Sequence, residues 1–486
     1  MHFLVIMSDT FRRDHLGCYG NPWIHTENLD RLAQEAYIFD QAYSGSFPTV
    51  PNRAELFTGK YVFTYFDWAP LPREELVLAE ILGEAGYTTM MIADTPHPLR
   101  SGYHYDRGFQ GWHWIRGQEN DRWMTDPAEV ELPCAPHKLR KAETAVKQYL
   151  RNVSQRREEA DYFVAQTMET ACRWLERNYR REKFFLYVDT FDPHEPWDPP
   201  QYYVDLYDPG YQGEEVIYPA YARADYLSEA ELKHMRALYA GEVTLVDRWV
   251  GRLLQKIDDL GLQEKTCVIF LSDHGFYHGE HGYIGKALMD DKGFKAVPLY
   301  QEVVRIPLLI RLPQGEKGRR IPAFAQPVDL LPTVLDLAGI PIPQHVHGRS
   351  LLPYMQGKAD DRGFAVSSWS IMHGPGRPST LTTPEWAFIY VGAWPEGEKP
   401  DQAQPIQTPA VDSGFRTEWP YTEEELVAEL YHLPSDPGQT RNVIAEHREV
   451  AVELHRQYVS FLEQCNTPEP YLKYRRELCQ ALRPHR

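Results

Sequence analysis

Four apolar runs in this chain stop on the same kind of residue, and that recurrence constrains the fold more than any other feature. Residues 2–8 run into Asp9, and 87–93 into Asp94-Thr95-Pro96-His97. Residues 184–188 run into Asp189-Thr190-Phe191-Asp192-Pro193-His194, and 267–271 into Ser272-Asp273-His274-Gly275. Continuous apolar runs of this length are strands covered on both faces, as in a parallel sheet. Between them lie helical patterns at 28–36, at 74–85 before Gly86, across 139–180, at 228–259, and at 328–337 before Gly339. Further strands are expected at Ile306–Leu312 and Trp386–Val391. The alternation implies an α/β fold with a mostly parallel central sheet flanked by helices. Ligands of such sheets bind beyond the carboxyl ends of the strands, so the four polar clusters should converge. A single aspartate after a strand is more often a turn or cap residue.

A fifth stretch supplies a helix N-terminus for the same place. Thr49 to Lys60 reads T-V-P-N-R-A-E-L-F-T-G-K. Pro51 suits a first helical turn, and Gly59 suits its end. Thr49 then stands where backbone N–H groups and the helix dipole favour negative charge, and Arg53 shares its face. Read alone, the stretch is equally that of a capped helix with a surface arginine.

The pattern resembles the signature of the sulfatases, a branch of the alkaline phosphatase superfamily. There a Cys or Ser, oxidised to formylglycine, is followed by x-Pro-x-Arg and then Thr-Gly-Arg or Thr-Gly-Lys. Thr49 stands at the nucleophile position, with Pro51, Arg53, Thr58, Gly59 and Lys60 matching. A threonine is not expected to become formylglycine, and it serves as nucleophile in several phosphoryl-transfer members of the superfamily. The resemblance implies metal ligation by Asp9, Asp273 and His274, with Thr49 as fourth ligand. Asp9 matches the first of two adjacent family aspartates; Thr10 replaces the second. His194, in D-P-H-E-P-W, and Lys286, in H-G-Y-I-G-K, match a histidine and a lysine that hold substrate oxygens and protonate the leaving group. Arg53 would stabilise the oxyanion. Where sulfatases carry Gly-Lys-Trp-His, this chain has Asp94-Thr95-Pro96-His97. That departure is closer to phosphonate monoester hydrolases and phosphodiesterases. Asp94, Thr95, His97 and Lys60 are candidate substrate-binding residues. With one carboxylate fewer and an imidazole present, manganese or zinc fits the single divalent site better than calcium. The aromatic residues of 103–123, with Trp197, Tyr202 and Tyr203, are candidates for the leaving-group side.

The landmarks continue to the Asp329-x-x-Pro-Thr helix start and to Glu429–Asn442, which resembles the family's C-terminal hairpin. Two units are expected: an α/β domain over 1–356, and a smaller subdomain over 357–486 with long loops, an antiparallel sheet and a helical tail bearing Arg475, Arg476, Arg483 and Arg486. A formal net charge of −18 argues against nucleic-acid and anionic-membrane partners. The six cysteines are scattered without C-x-x-C spacing, against a zinc cluster or disulfide framework. Without a basic leader or a long apolar span, the chain reads as cytoplasmic. Its partner is a small-molecule ester, and relatives of this kind often form homo-oligomers. Together these features imply a hydrolase of phosphodiesters or phosphonate monoesters working through a threonine nucleophile. A sulfate ester hydrolase, a phosphoryl transferase and an inactive binding homologue remain the alternatives.

Overall fold

The computed structural model describes residues 1–290, 293–392 and 426–478; Cys479, Arg483 and Arg486 lie outside the described residues. An eight-stranded sheet organises the larger part. From one edge its order is Arg319–Ala325, Tyr37–Ala42, Leu308–Arg311, Thr266–Ser272, His2–Ser8, Phe184–Thr190, Thr88–Ala93 and Gly111–Trp114. Only Leu308–Arg311 runs antiparallel to its neighbours.

The period of two along the first strand explains the layering. Phe3, Val5 and Met7 enter one apolar cluster with Val50, Leu56, Leu82 and Leu331 from the helices on that face. Leu4 and Ile6 enter another with Leu32, Met168 and Val246 from the helices opposite. Both faces are therefore covered, as the unbroken apolar runs require. The longest helix, Glu229–Asp259, starts at a capping box in which Ser228 accepts from Glu231 N–H and Glu231 answers at Ser228 N–H.

Several elements differ from the sequence reading. Gly111–Trp114 and Arg319–Ala325, neither among the expected strands, form the two edges of the sheet. Both run short or irregular, so their pattern carries little periodicity: only four residues pair in the first, and the second has a register shift between Ile321 and Phe324. The helix expected from 74 begins at Leu78. Glu429–His432 pairs with Trp386–Tyr390 rather than within its own run.

A second sheet, of five strands, runs Glu429–His432, Trp386–Tyr390, Ser379–Thr382, Ala365–Trp369 and Ser46–Phe47. Its last strand comes from the N-terminal part of the chain and pairs parallel with Ala365–Trp369. Leu454, Tyr458 and Leu462 of the helix Arg448–Gln464 pack on its Val366, Leu381 and Phe388. Ser46–Phe47 leads directly into the helix Thr49–Thr58, so both sheets meet at its head.

Glu55 ties that junction together. It is fully buried and accepts from Ser46 N–H at 2.5 Å and from Val328 N–H at 3.2 Å. A Cβ on Gly45 would lie 2.0 Å from Glu55 Oε1, so only glycine fits there. Glu55→Ala leaves two buried N–H groups unpaired, and urea unfolding should show a loss of about 2–4 kcal/mol.

Candidate active site

The strand ends converge as their polar residues imply. Asp9 follows His2–Ser8, Asp189 is the last residue but one of Phe184–Thr190, and Asp273 follows Thr266–Ser272, so the three lie within two positions of one another on adjacent parallel strands. The helix Thr49–Thr58 points its first turn at them, and Gly59 ends it in the left-handed region with φ 66°.

Arg53 occupies the centre. Its Nε and Nη2 donate to the two oxygens of Asp189 at 2.9 and 2.7 Å. Nη1 donates to Asp273 Oδ2 at 2.7 Å and to the Thr49 carbonyl at 3.1 Å, and lies 3.1 Å from Asp9 Oδ2. The guanidinium is fully buried. Where an oxyanion role was expected, four of its five N–H donors are directed at protein oxygens, and it holds the carboxylates and the head of the helix in place.

Thr10, at the position of the missing second aspartate, adopts φ 60°. Its hydroxyl donates to Asp9 Oδ1 at 2.8 Å and its N–H to Asp273 Oδ1 at 2.9 Å. It therefore orients two carboxylates without adding charge.

Asp9, Asp273 and His274 bring one donor atom each within 4.8 Å of one another, and all three are buried. Asp9 Oδ2 accepts no hydrogen bond. Burial and the adjacent charge of Asp273 push the Asp9 carboxyl well above its usual range, against the pull of Arg53 and Lys286. Burial works against Asp273 too, but His274, Arg53 and Lys286 outweigh it and hold that carboxyl low. Three buried aspartates around one guanidinium leave an excess of negative charge, which a divalent cation between Asp9, Asp273 and His274 would balance. The donor set fits such an ion.

Two histidines are fixed in the same tautomer. His274 Nδ1 donates to the Gly275 carbonyl at 3.0 Å, and His194 Nδ1 to that of Glu195 at 2.7 Å. Each Nε2 therefore presents a lone pair. Burial lowers His274 to about 3. Burial and then the Lys286 charge hold His194 well below the usual imidazole range. Lys286 Nζ sits 3.0 Å from His194 Nε2 and 3.3 Å from His274 Nε2. Thr49 Oγ1 is 3.5 Å from His274 Nε2.

A cleft of about 220 Å³ opens over Thr49, His97, His194 and Lys286. The remaining candidates lie elsewhere. Asp94 is wholly buried, accepting from Thr167 Oγ1 at 2.9 Å, Thr190 Oγ1 at 3.2 Å and Phe191 N–H. Thr95 donates to Asp189 Oδ1 at 2.7 Å. Both brace the strand ends rather than face the cleft. Lys60 pairs with Glu75 at 2.7 Å beyond the far end of its helix, because one helix length separates it from Thr49. The aromatic set is corrected as well. Tyr105 and Phe109 pack on Phe57, and Trp197 is buried with its Nε1 donating to Pro193. The cleft takes its aromatic walls from Trp68, Tyr221, Phe294 and Trp369 instead. Asp189 escaped assignment as a site residue although it carries the same strand-end signal as Asp9. Trp68 follows no strand, and Trp369 closes a strand of the second sheet rather than of the first, so neither carries such a signal.

The Sulfatase family model matches residues 1–340. The chain belongs to the sulfatase family. It is 30% identical to the ulvan-active sulfatase of Formosa agariphila over 72% of this chain, and spans 64% of the length of that relative. The multifunctional alkaline phosphatase superfamily protein PehA of Trinickia caryophylli is 26% identical over 74% of this chain and 78% of its own length. The phosphonate monoester hydrolase of Agrobacterium radiobacter superposes with a TM-score of 0.70, covering 96% of each chain at 20% identity. This last likeness establishes an alkaline-phosphatase-like fold. Among the described residues no helix is long and apolar enough to cross a membrane.

His97 offers a test of the site's electrostatics away from Asp9, Asp189 and Asp273. It is buried 3.1 Å from Glu119 Oε2, and burial lowers it to about 4. Below pH 6.5 the unfolded chain binds this proton and the folded one does not until about pH 4. Stability should therefore fall on acidification through that window, by at most about 1.4 kcal/mol per pH unit for this residue. Urea unfolding of His97→Gln should show a correspondingly shallower loss between pH 6.5 and 4.

Proposed function

We propose that this sulfatase-family hydrolase cleaves singly charged phosphorus esters, phosphodiesters or phosphonate monoesters, with Thr49 as nucleophile. The observation that carries the reading is the juxtaposition of the Thr49 hydroxyl, the His274 lone pair and the Lys286 ammonium at one cleft. One divalent ion, manganese or zinc, held by Asp9, Asp273, His274 and Thr49 would supply a lowered pKa for the Thr49 hydroxyl. Thr49 Oγ1, its proton given up to solvent, attacks phosphorus in line, forming a P–O bond as the bond to the leaving alcohol breaks. Lys286 faces the developing charge and gives its proton to the departing oxygen. His194 accepts from Lys286 and so aims the ammonium; buried and neutral, it is a poorer acid than the lysine beside it. Water then attacks the phosphothreonine, releasing Thr49.

The threonine favours phosphorus over sulfur. A formylglycine hydrate can eject sulfate by collapsing to the aldehyde, whereas a threonyl ester must be attacked again at its central atom. That second displacement is accessible at phosphorus and poor at sulfur. The charge of the site agrees: one divalent ion among aspartates is less cationic than a two-metal centre, and suits a monoanion better than a dianion.

With manganese or zinc supplied, 4-nitrophenyl phosphodiester and phosphonate monoester should turn over faster than the phosphate monoester and the sulfate. Thr49→Ala should lower that rate at least about a thousandfold. Sulfate as the best substrate would overturn the phosphorus assignment and align the chain with its sulfatase relatives. Metal analysis gives a separate check. The native protein should hold one divalent ion per chain, and His274→Ala should weaken it more than about tenfold.

A further inference from the structure

The protein as a whole is strongly acidic, yet the cleft lining is cationic. Arg100, Arg140, Lys141, Lys286 and Arg377 all contribute to it, against Asp67 and Glu119. Two of these cations already have acidic partners. Arg140 pairs with Glu119 at 3.1 Å and Glu195 at 2.8 Å, and lies over the rings of Tyr218 and Tyr221. Arg377 reaches Asp67 at 3.4 Å.

Arg100 differs. Among the described residues its guanidinium forms no ion pair; Nη2 donates to the Asn120 amide oxygen at 3.1 Å. Lys141 lines the same cleft; burial and then the charge of Arg140 lower its ammonium to about 8, with Glu119 opposing and Arg100 adding. Glu119 is the carboxylate among these charges, and it already pairs with Arg140 and His97, so this part of the lining keeps an excess of positive charge that an anion would offset. The Lys141 backbone is itself strained, at φ 53° and ψ 47°, a left-handed conformation unusual for lysine. Such outliers persist where the surrounding structure enforces them, and they gather at binding sites. Arg100 and Lys141 are half-buried while Thr49, His194 and Lys286 are buried, which places the cation pair on the solvent side of the reacting groups.

We infer that Arg100 and Lys141 form a subsite for a second negative charge, a carboxylate, carried on the leaving alcohol of the substrate. The inference rests on the ester-hydrolase reading of the same cleft and specifies which esters it takes. A guanidinium offers a planar carboxylate two parallel donors, and an ammonium beside it supplies a point charge. The aromatic walls, Trp68, Phe294 and Trp369, suit a ring that carries both the ester oxygen and the acid. The charge at phosphorus and the charge on the alcohol are then met by different groups: Lys286, with the cation that Asp9, Asp273 and His274 would hold, for the first, and Arg100 and Lys141 for the second.

Two phenylphosphonate esters test this directly, one of 4-nitrophenol and one of 5-hydroxy-2-nitrobenzoate, whose leaving groups differ by the carboxylate. Native protein should favour the carboxylated ester by about ten- to a hundredfold in kcat/KM. In Arg100→Gln and in Lys141→Gln that ratio should fall towards one, and Arg100→Lys should keep part of it. Calorimetric binding of 5-hydroxy-2-nitrobenzoate and of 4-nitrophenol to Thr49→Ala reads the subsite without chemistry. Selective binding of the acid with no turnover of either ester would sustain the subsite and overturn the hydrolase reading. Turnover with equal rates for the two esters, or acid and phenol binding alike, would overturn the subsite.

Discussion

The buried contact of Arg53 with Asp9, Asp189 and Asp273 is the interaction on which the rest of the site depends. Three adjacent strands each deliver one carboxylate to the same end of the sheet, and their mutual repulsion in a water-free interior would force them apart. A single guanidinium with a forked donor set bridges them, and its Nη1 also reaches the carbonyl of Thr49. The same residue therefore fixes the spacing of the carboxylates and the position of the hydroxyl above them. A buried ion pair of this kind is weak evidence for stability, since desolvation offsets much of its attraction. Its role here is geometric: the helix cannot slide along the strand ends without breaking contacts to all three.

Thr10 shows how this arrangement absorbs a change of charge. A second aspartate in its place would leave four carboxylates against one guanidinium. The hydroxyl keeps the orienting function, donating to Asp9, and removes one unit of negative charge. What remains is a site that still attracts a cation but with fewer hard oxygens, so imidazole ligation by His274 gains weight. The backbone carbonyls of Gly275 and Glu195 complete this by fixing both histidine tautomers, so that the Nε2 lone pair of His194 aims Lys286 while that of His274 is open to a cation.

The strands and the convergence of their ends were legible because burial on both faces writes an unbroken apolar run, and a polar residue after such a run has few places to go. That pattern brings Asp9, Asp273 and His274 to one end of the sheet once the strands are parallel, while the resemblance to the sulfatases singles them out from the other strand-end residues. Thr49 and Arg53 were legible as a helix start, but not the direction in which Arg53 turns: a sequence shows a cation near an anion site, while the number of carboxylates competing for it depends on strand order. Lys60 was misplaced for a simpler reason, since matching a motif says nothing about the length of helix between its two ends. The cleft walls were the least legible part. Trp68, Trp369, Arg100 and Lys141 come from four separate segments without periodicity, and only the tertiary packing brings them together. The aromatic residues of 103–123 drew attention by their density, yet Tyr105 and Phe109 serve the apolar layer beneath the Thr49 helix.

The separation of duties among the cations follows from burial. Arg53, at zero exposure, is committed to carboxylates and has no route to a ligand. Among the described residues Lys286, buried but lining the cleft, contacts imidazole nitrogens and no carboxylate, so its charge at the centre of the site is not already cancelled by a carboxylate in contact. A neutral partner orients an ammonium without consuming its field, which is what an oxyanion in the transition state requires. Replacing either imidazole by a carboxylate would hold the lysine as firmly and leave nothing for the substrate. The two buried histidines are thus as much a part of the positive charge felt in the cleft as the lysine itself.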